Sequence, residues 1–219
     1  AADGKPASQV RLNQTPWHDI AVGPDDSLYL RTYWSIVRIT PDGLFHVVIG
    51  KTASENFPPD GSLARNPGVA TSDIGNAFVA VGMDHTVYYN DEWTIGGQRR
   101  DYVRKISPDG RISTLIGPAG RAAGPEETQY FTEGPAIGVK TATITGLNVA
   151  PDGSVYVAGG FGMVRINPGG TAAHVMNGAA VSGEDNPDTR FRSEGQPANS
   201  SAPYRINATY VNHLQIGPD

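Results

Sequence analysis

The chain of 219 residues contains no cysteine. That excludes disulfides and thiolate-held zinc, and it leaves the redox compartment open. Charge is sparse, with 17 Lys and Arg against 22 Asp and Glu for a net charge of −5. The tightest basic cluster is Arg99-Arg100, whereas a nucleic-acid binder shows a basic patch or stripe, so no nucleic-acid partner is expected. No apolar run approaches the roughly 18 residues needed to cross a bilayer, so membrane insertion is not expected either. Catalytic signatures are also missing. There is no G-x-S-x-G, and the glycines of Gly159–Ile166 lead into a strand pattern rather than into a helix that would cradle phosphate. The acidic run Glu184–Asp188 lacks calcium-loop spacing and contains Pro187. The five His are scattered. His18 and His213 stand one residue out of phase, which on a strand puts them on opposite faces. No catalytic residue, metal or cofactor is therefore expected.

What the chain does have is 27 Gly and 17 Pro, a composition suited to many short strands joined by tight turns. It also repeats. Asp25, Asp84, Asp152 and Asp219 fall in register, each with aliphatic residues three and five positions earlier: Ile20/Val22, Val79/Val81, Leu147/Val149 and Leu214/Ile216. Alternation with period two marks a strand with one buried face. Four residues after the first three Asp stand Tyr29, Tyr88 and Tyr156, each in a β-prone trio. A third strand follows at Ile36–Ile39, Val103–Ile106 and Met163–Ile166, then a Pro-Asp-Gly or Pro-Gly-Gly turn, then a fourth strand. Between units recurs an acidic-Gly element, "DGKPA" at Asp3–Ala7 and "EGQPA" at Glu194–Ala198. The anchors stand roughly 60–70 residues apart, beyond the ~40–45 of common propeller repeats, so long connections are expected.

Four-stranded meanders in series predict an all-β β-propeller: three complete antiparallel blades over about residues 13–50, 74–117 and 143–178, and the inner strand of a fourth at 206–219. A parallel β-helix is the rival and would need shorter, more uniform repeats. "IAVGPDDSLYL" followed by "IVRITPDGLFHVVIG" resembles an NHL repeat. The acidic-Gly-Pro-Ala linkers resemble those in NHL propellers of secreted bacterial proteins and of Rhs/teneurin-type (YD-repeat) proteins. The resemblance implies an extracellular or secreted setting, within a large Rhs-like assembly. Three blades and a fraction fall short of the roughly four to eight that close a ring. The expectation is a segment whose remaining blades lie in the same or another chain.

Candidate binding residues come from the connections between second and third strands: Arg31–Ser35, Asn90–Asp101 and Ala158–Gly162. Each carries an aromatic residue, namely Tyr33 and Trp34, Trp93, and Phe161. The second connection is the longest and adds Arg99 and Arg100. Loops on a rigid scaffold are where binding concentrates, and Trp, Tyr and Arg dominate protein interfaces. The expected partner is a protein or a glycan. The alternatives are a propeller lyase or hydrolase whose site is completed by further blades, and a passive scaffold module.

Overall fold

A computed structural model of the chain describes residues 3–11, 17–50, 57–66, 68–72, 75–117, 133–139, 143–159 and 162–177. The fold is all-β, with antiparallel four-stranded meanders of β-propeller type. The fourth-blade strand expected at 206–219 lies outside the described residues. The chain divides into two compact units, one of Ala1–Trp93 with Tyr102–Leu115 and one of Thr94–Asp101 with Ile116–Asp219.

The first sheet runs β2 (Asp19–Val22), β3 (Leu28–Arg31), β4 (Ile36–Ile39) and β5 (Leu44–Ile49), each strand pairing with the next. The second runs β6 (Val79–Val81), β7 (Val87–Ile95), β8 (Gln98–Ile106) and β9 (Ile112–Ile116) in the same order. The third runs β11 (Ile144–Val149), β12 (Val155–Gly159), β13 (Gly162–Ile166) and β14 (Thr171–Asn177). β1 (Lys5–Pro6) and β10 (Gly134–Pro135) are short strands contributed by the linkers.

The repeated Asp is a turn staple. In the first sheet Asp25 accepts the Ser27 amide and hydroxyl and pairs with Arg38 on β4. In the third sheet Asp152 accepts the Ser154 amide at 2.9 Å and hydroxyl at 3.1 Å and pairs with Arg165 at 2.8 Å. In the second, Asp84 takes the Thr86 amide and hydroxyl at 3.0 and 2.8 Å, and Lys105 replaces the arginine as the nearby cation. The residue after each Asp is left-handed, at φ 59° for Asp26, 64° for His85 and 81° for Gly153. Only the third sheet meets that demand with glycine, the residue that takes positive φ without strain.

The acidic-Gly element is also structural. Gly4 and Gly134, at φ 80° and 118°, turn the chain into β1 and β10. These add antiparallel fifth strands to the outer edges of the first and third sheets, against β5 and β14. The preceding acid hooks the same edge strand, Asp3 accepting the Val47 amide at 2.8 Å and Glu133 the His174 amide at 2.8 Å. Asp60 does so through a side chain, accepting the Thr114 hydroxyl at 2.8 Å. The four-stranded repeat thus carries a clasp from the segment before it.

In the first unit one face of the first sheet packs on the second. Tyr29, Ile36 and Ile49 meet Val79, Val87, Tyr89, Ile106 and Ile112, with Ala64 of the linker between. Each Val or Ile among them, fully buried, contributes about 1.5–3 kcal/mol. Asp19 ties the innermost strands together, accepting the Val79 amide at 2.9 Å.

Candidate recognition site

The connection Thr32–Ser35 is a closed turn, not a free loop. Thr32 N–H donates to the Ser35 carbonyl at 2.8 Å, and the Thr32 and Ser35 hydroxyls meet at 2.8 Å. Its backbone is held from below, because Thr71 donates its amide to the Trp34 carbonyl at 3.2 Å and its hydroxyl to the Tyr33 carbonyl at 3.0 Å. Glycine is required beside it, since a Cβ at Gly50 would stand 2.1 Å from the Trp34 carbonyl oxygen. This fixed turn lifts Tyr33 and Trp34 to the end of the sheet. The antiparallel register of β2 with β3 pairs Asp19 with Arg31 and brings Trp17 and His18 to the same end, where the His18 amide donates to the Arg31 carbonyl at 2.9 Å. The His18 ring stands 4.2 Å from Tyr33, edge to face at 61°, and Tyr33 stands 6.1 Å from Trp34 at 46°. Trp17 and Trp34 remain 45% and 41% exposed.

The connection Asn90–Asp101 differs from the expected loop. It is the continuation of β7 and β8, closed by the two-residue turn Gly96-Gly97 at φ 61° and 77°. Trp93 lies within β7 and is buried, which withdraws it from the expected binding surface. Its indole N–H donates to Asp91 Oδ2 at 2.7 Å, and Phe57 meets the ring edge-on. Asp91 is filled on its other side by the Ser72 amide and hydroxyl at 2.8 and 2.6 Å. An insertion here lengthens a hairpin because the added residues go on pairing, and the ring between them is covered. Arg99 and Arg100 fall in β8, and Arg100 is partly buried. Phe161 lies outside the described residues. Of the expected set, Tyr33 and Trp34 come together at one surface, and Trp93 does not join them.

Sequence reasoning missed Trp17 and His18. The signal was available, since both stand immediately before β2 and antiparallel pairing returns that end to the Tyr33-Trp34 turn. It also missed a pair of buried cations. Arg31 and Arg104 are fully buried, Arg31 donating to the Asn90 carbonyl at 3.3 Å and Arg104 to the Pro58 carbonyl at 2.7 Å. Arg104 lies 4.3 Å over Phe57 and Arg31 5.5 Å over Tyr89. Burial pulls the Arg31 guanidinium down to about 10, against the opposing pull of Asp91, Tyr89 and Asp19. In register Arg104 stands where the other sheets have Val37 and Val164, and Arg31 where they have Asn90 and Ala158. For Arg104 a break in the repeat's own aliphatic pattern was the available sign.

Among the described residues no group of three or more His, Asp or Glu side chains is placed to hold a metal, and no helix is long and apolar enough to cross a membrane.

No protein-family model matches the chain. Teneurin-m of Drosophila melanogaster is 28% identical over 156 residues, a match covering 64% of this chain and 5% of that protein. A structural-genomics protein of unknown function from Bacteroides thetaiotaomicron superposes with a TM-score of 0.50 at 19% identity, over 77% of this chain and 37% of that one. Virginiamycin B lyase from Staphylococcus aureus aligns over 78% of this chain and 58% of its own length at 13% identity, with a TM-score of 0.37. The chain thus spans a small part of the first two proteins it matches. Resemblance at these identities carries the fold and not an activity.

Proposed function

We propose that the chain is a non-catalytic propeller segment that recognises a protein partner through the rim formed by Trp17, His18, Tyr33 and Trp34. The observation that carries this is the pair of indoles, 45% and 41% exposed, held at one end of a rigid sheet. Large aromatic side chains on a fixed backbone give contact area at low entropic cost and dominate interface energetics. The ring planes tilt by 46° and 61°. That knobbed relief suits a protein pocket better than the flat platform a sugar ring stacks on. The non-catalytic reading rests on how the acids are used. Asp25, Asp84 and Asp152 close turns, Asp19 and Asp91 bind backbone amides, and Asp3 and Glu133 clasp edge strands.

By its resemblance to Rhs/teneurin-type propellers, the segment belongs to a larger extracellular or secreted protein. The test is a binding screen against arrays of extracellular proteins and of glycans, repeated with Trp17→Ala/Trp34→Ala. Loss of two anchors should weaken a protein interaction by at least ~30-fold. Protein binding untouched by the double substitution overturns the reading, and binding to glycans alone replaces the protein partner with a sugar.

A further inference from the structure

The repeat allows the same position to be compared in three sheets. Five residues before the anchor Asp stand Ile20, Val79 and Leu147, and three after it stand Leu28, Val87 and Val155. In the second and third sheets these side chains are buried, Val79 to 3% and Leu147 to 5% exposure. In the first sheet the same face is open, with Ile20 at 58%, Val22 at 62% and Leu28 also exposed. Val22 and Leu28 are paired across β2 and β3, so these three side chains form one continuous apolar surface on regular backbone. An apolar surface of this kind on a sheet marks a docking face.

The second sheet shows what such a face accepts. Val79 and Val87 are covered by Ala21, Tyr29, Ile36 and Ile49, the opposite face of the first sheet. We infer that the open face of the first sheet docks a further sheet of this same repeat, presenting an Ala-Tyr-Ile set toward Ile20, Val22 and Leu28, and belonging to the same longer polypeptide. The source follows from which faces are free. The Ala21 face of the first sheet is occupied by the second. Its counterpart in the second sheet, Ala80, Tyr88, Val103 and Ile116, is buried as well. The counterpart in the third sheet replaces the alanine with Asn148, a polar amide whose Oδ1 takes the Val149 amide at 2.7 Å. Among the described residues, therefore, a second copy of this chain has no free apolar Ala-Tyr-Ile face to offer. The matched proteins also extend well beyond the region of similarity, which occupies 5% of one and 37% of the other.

The absence of cysteine makes a thiol-labelling test clean. Val22→Cys alters an exposed side chain and keeps the strand. Its reaction with a small thiol reagent is compared in the 219-residue chain and in the polypeptide as its gene encodes it, each referred to the denatured rate. The expected result is near-denatured labelling in the 219-residue chain and at least ~100-fold protection in the full polypeptide. Equal labelling in both overturns the proposal. Concentration-dependent protection in the 219-residue chain alone also overturns it, in favour of a second copy. A gene that encodes no further repeat does the same. None of these results touches the rim reading, which a Trp17→Ala/Trp34→Ala variant tests separately.

Discussion

The first and second sheets are built on one plan and treat their aromatic residues in opposite ways. In the first, β3 stops at Arg31 and a four-residue turn carries Tyr33 and Trp34 outward. In the second, β7 and β8 keep pairing to a Gly-Gly turn and bury Trp93 on the way. The difference teaches that aromatic content does not make a connection a binding loop. What matters is whether the backbone on either side finds a ladder partner. Where it does, the ring is drawn into the sheet, and where the turn closes on itself, the ring is left at the surface.

Substitution of the two tryptophans breaks this comparison most directly. Trp93→Ala should cost about 3–5 kcal/mol by urea denaturation, since it empties a buried site and strips Asp91 of a donor. Asp91→Ala should follow at about 3 kcal/mol, because one carboxylate serves the Ser72 amide, the Ser72 hydroxyl and the Trp93 indole. Equal destabilisation by Trp93→Ala and Trp34→Ala would erase the distinction between the two connections.

The turn staples sharpen the comparison through pH. Burial raises Asp25, but the Ser27 hydroxyl and amide and Arg38 outweigh it and hold the carboxyl below its ordinary value. Asp84 is likewise raised by burial and held low on balance by Thr86, with Lys105 adding to the pull. A depressed folded value means that the stabilisation is complete above the unfolded value of about 4 and is lost as pH falls below it. Urea midpoints should therefore drop between pH 5 and pH 2.5, and the drop should shrink in both Asp25→Asn and Asp84→Asn. Salt should weaken the Asp25 share more than the Asp84 share, because Asp25 pairs directly with Arg38, as Asp152 does with Arg165, while Lys105 acts on Asp84 as a nearby charge.

Smaller effects come from the left-handed turn residues. His85→Gly should stabilise the chain by about 1 kcal/mol, since histidine carries a Cβ at φ 64°. Asp26→Gly should change thermal stability less, because aspartate tolerates that conformation. Trp34→Ala comes last, with a stability change within ~0.5 kcal/mol of zero by thermal unfolding.

The sheets were legible in the sequence because three independent signals agreed. The Asp anchor, the alternating aliphatic residues and the positive-φ glycines after Pro each marked the same boundaries. The β7–β8 extension was not read, because Asn90, Asp91, Glu92, Gln98 and Arg99 are polar and poor in strand signal. Those residues pair through backbone groups, which composition does not register. The two-residue Gly96-Gly97 turn was the one local clue to a hairpin. Trp17 was missed for a different reason. It stands before β2 and outside the connections between second and third strands, and only the register of β2 with β3 returns its end of the strand to the Tyr33-Trp34 turn. The clasp of β1 and β10 was hidden likewise, although the acidic-Gly element that makes it was recognised as recurrent.

That clasp governs how the protein meets its own kind at high concentration. In the first and third sheets the outermost strand contains a proline, Pro6 or Pro135, which has no N–H to offer a further strand. A neighbour seeking to extend either sheet sideways finds a two-residue stub that cannot donate at that position. Fibrillar growth is blunted along those margins.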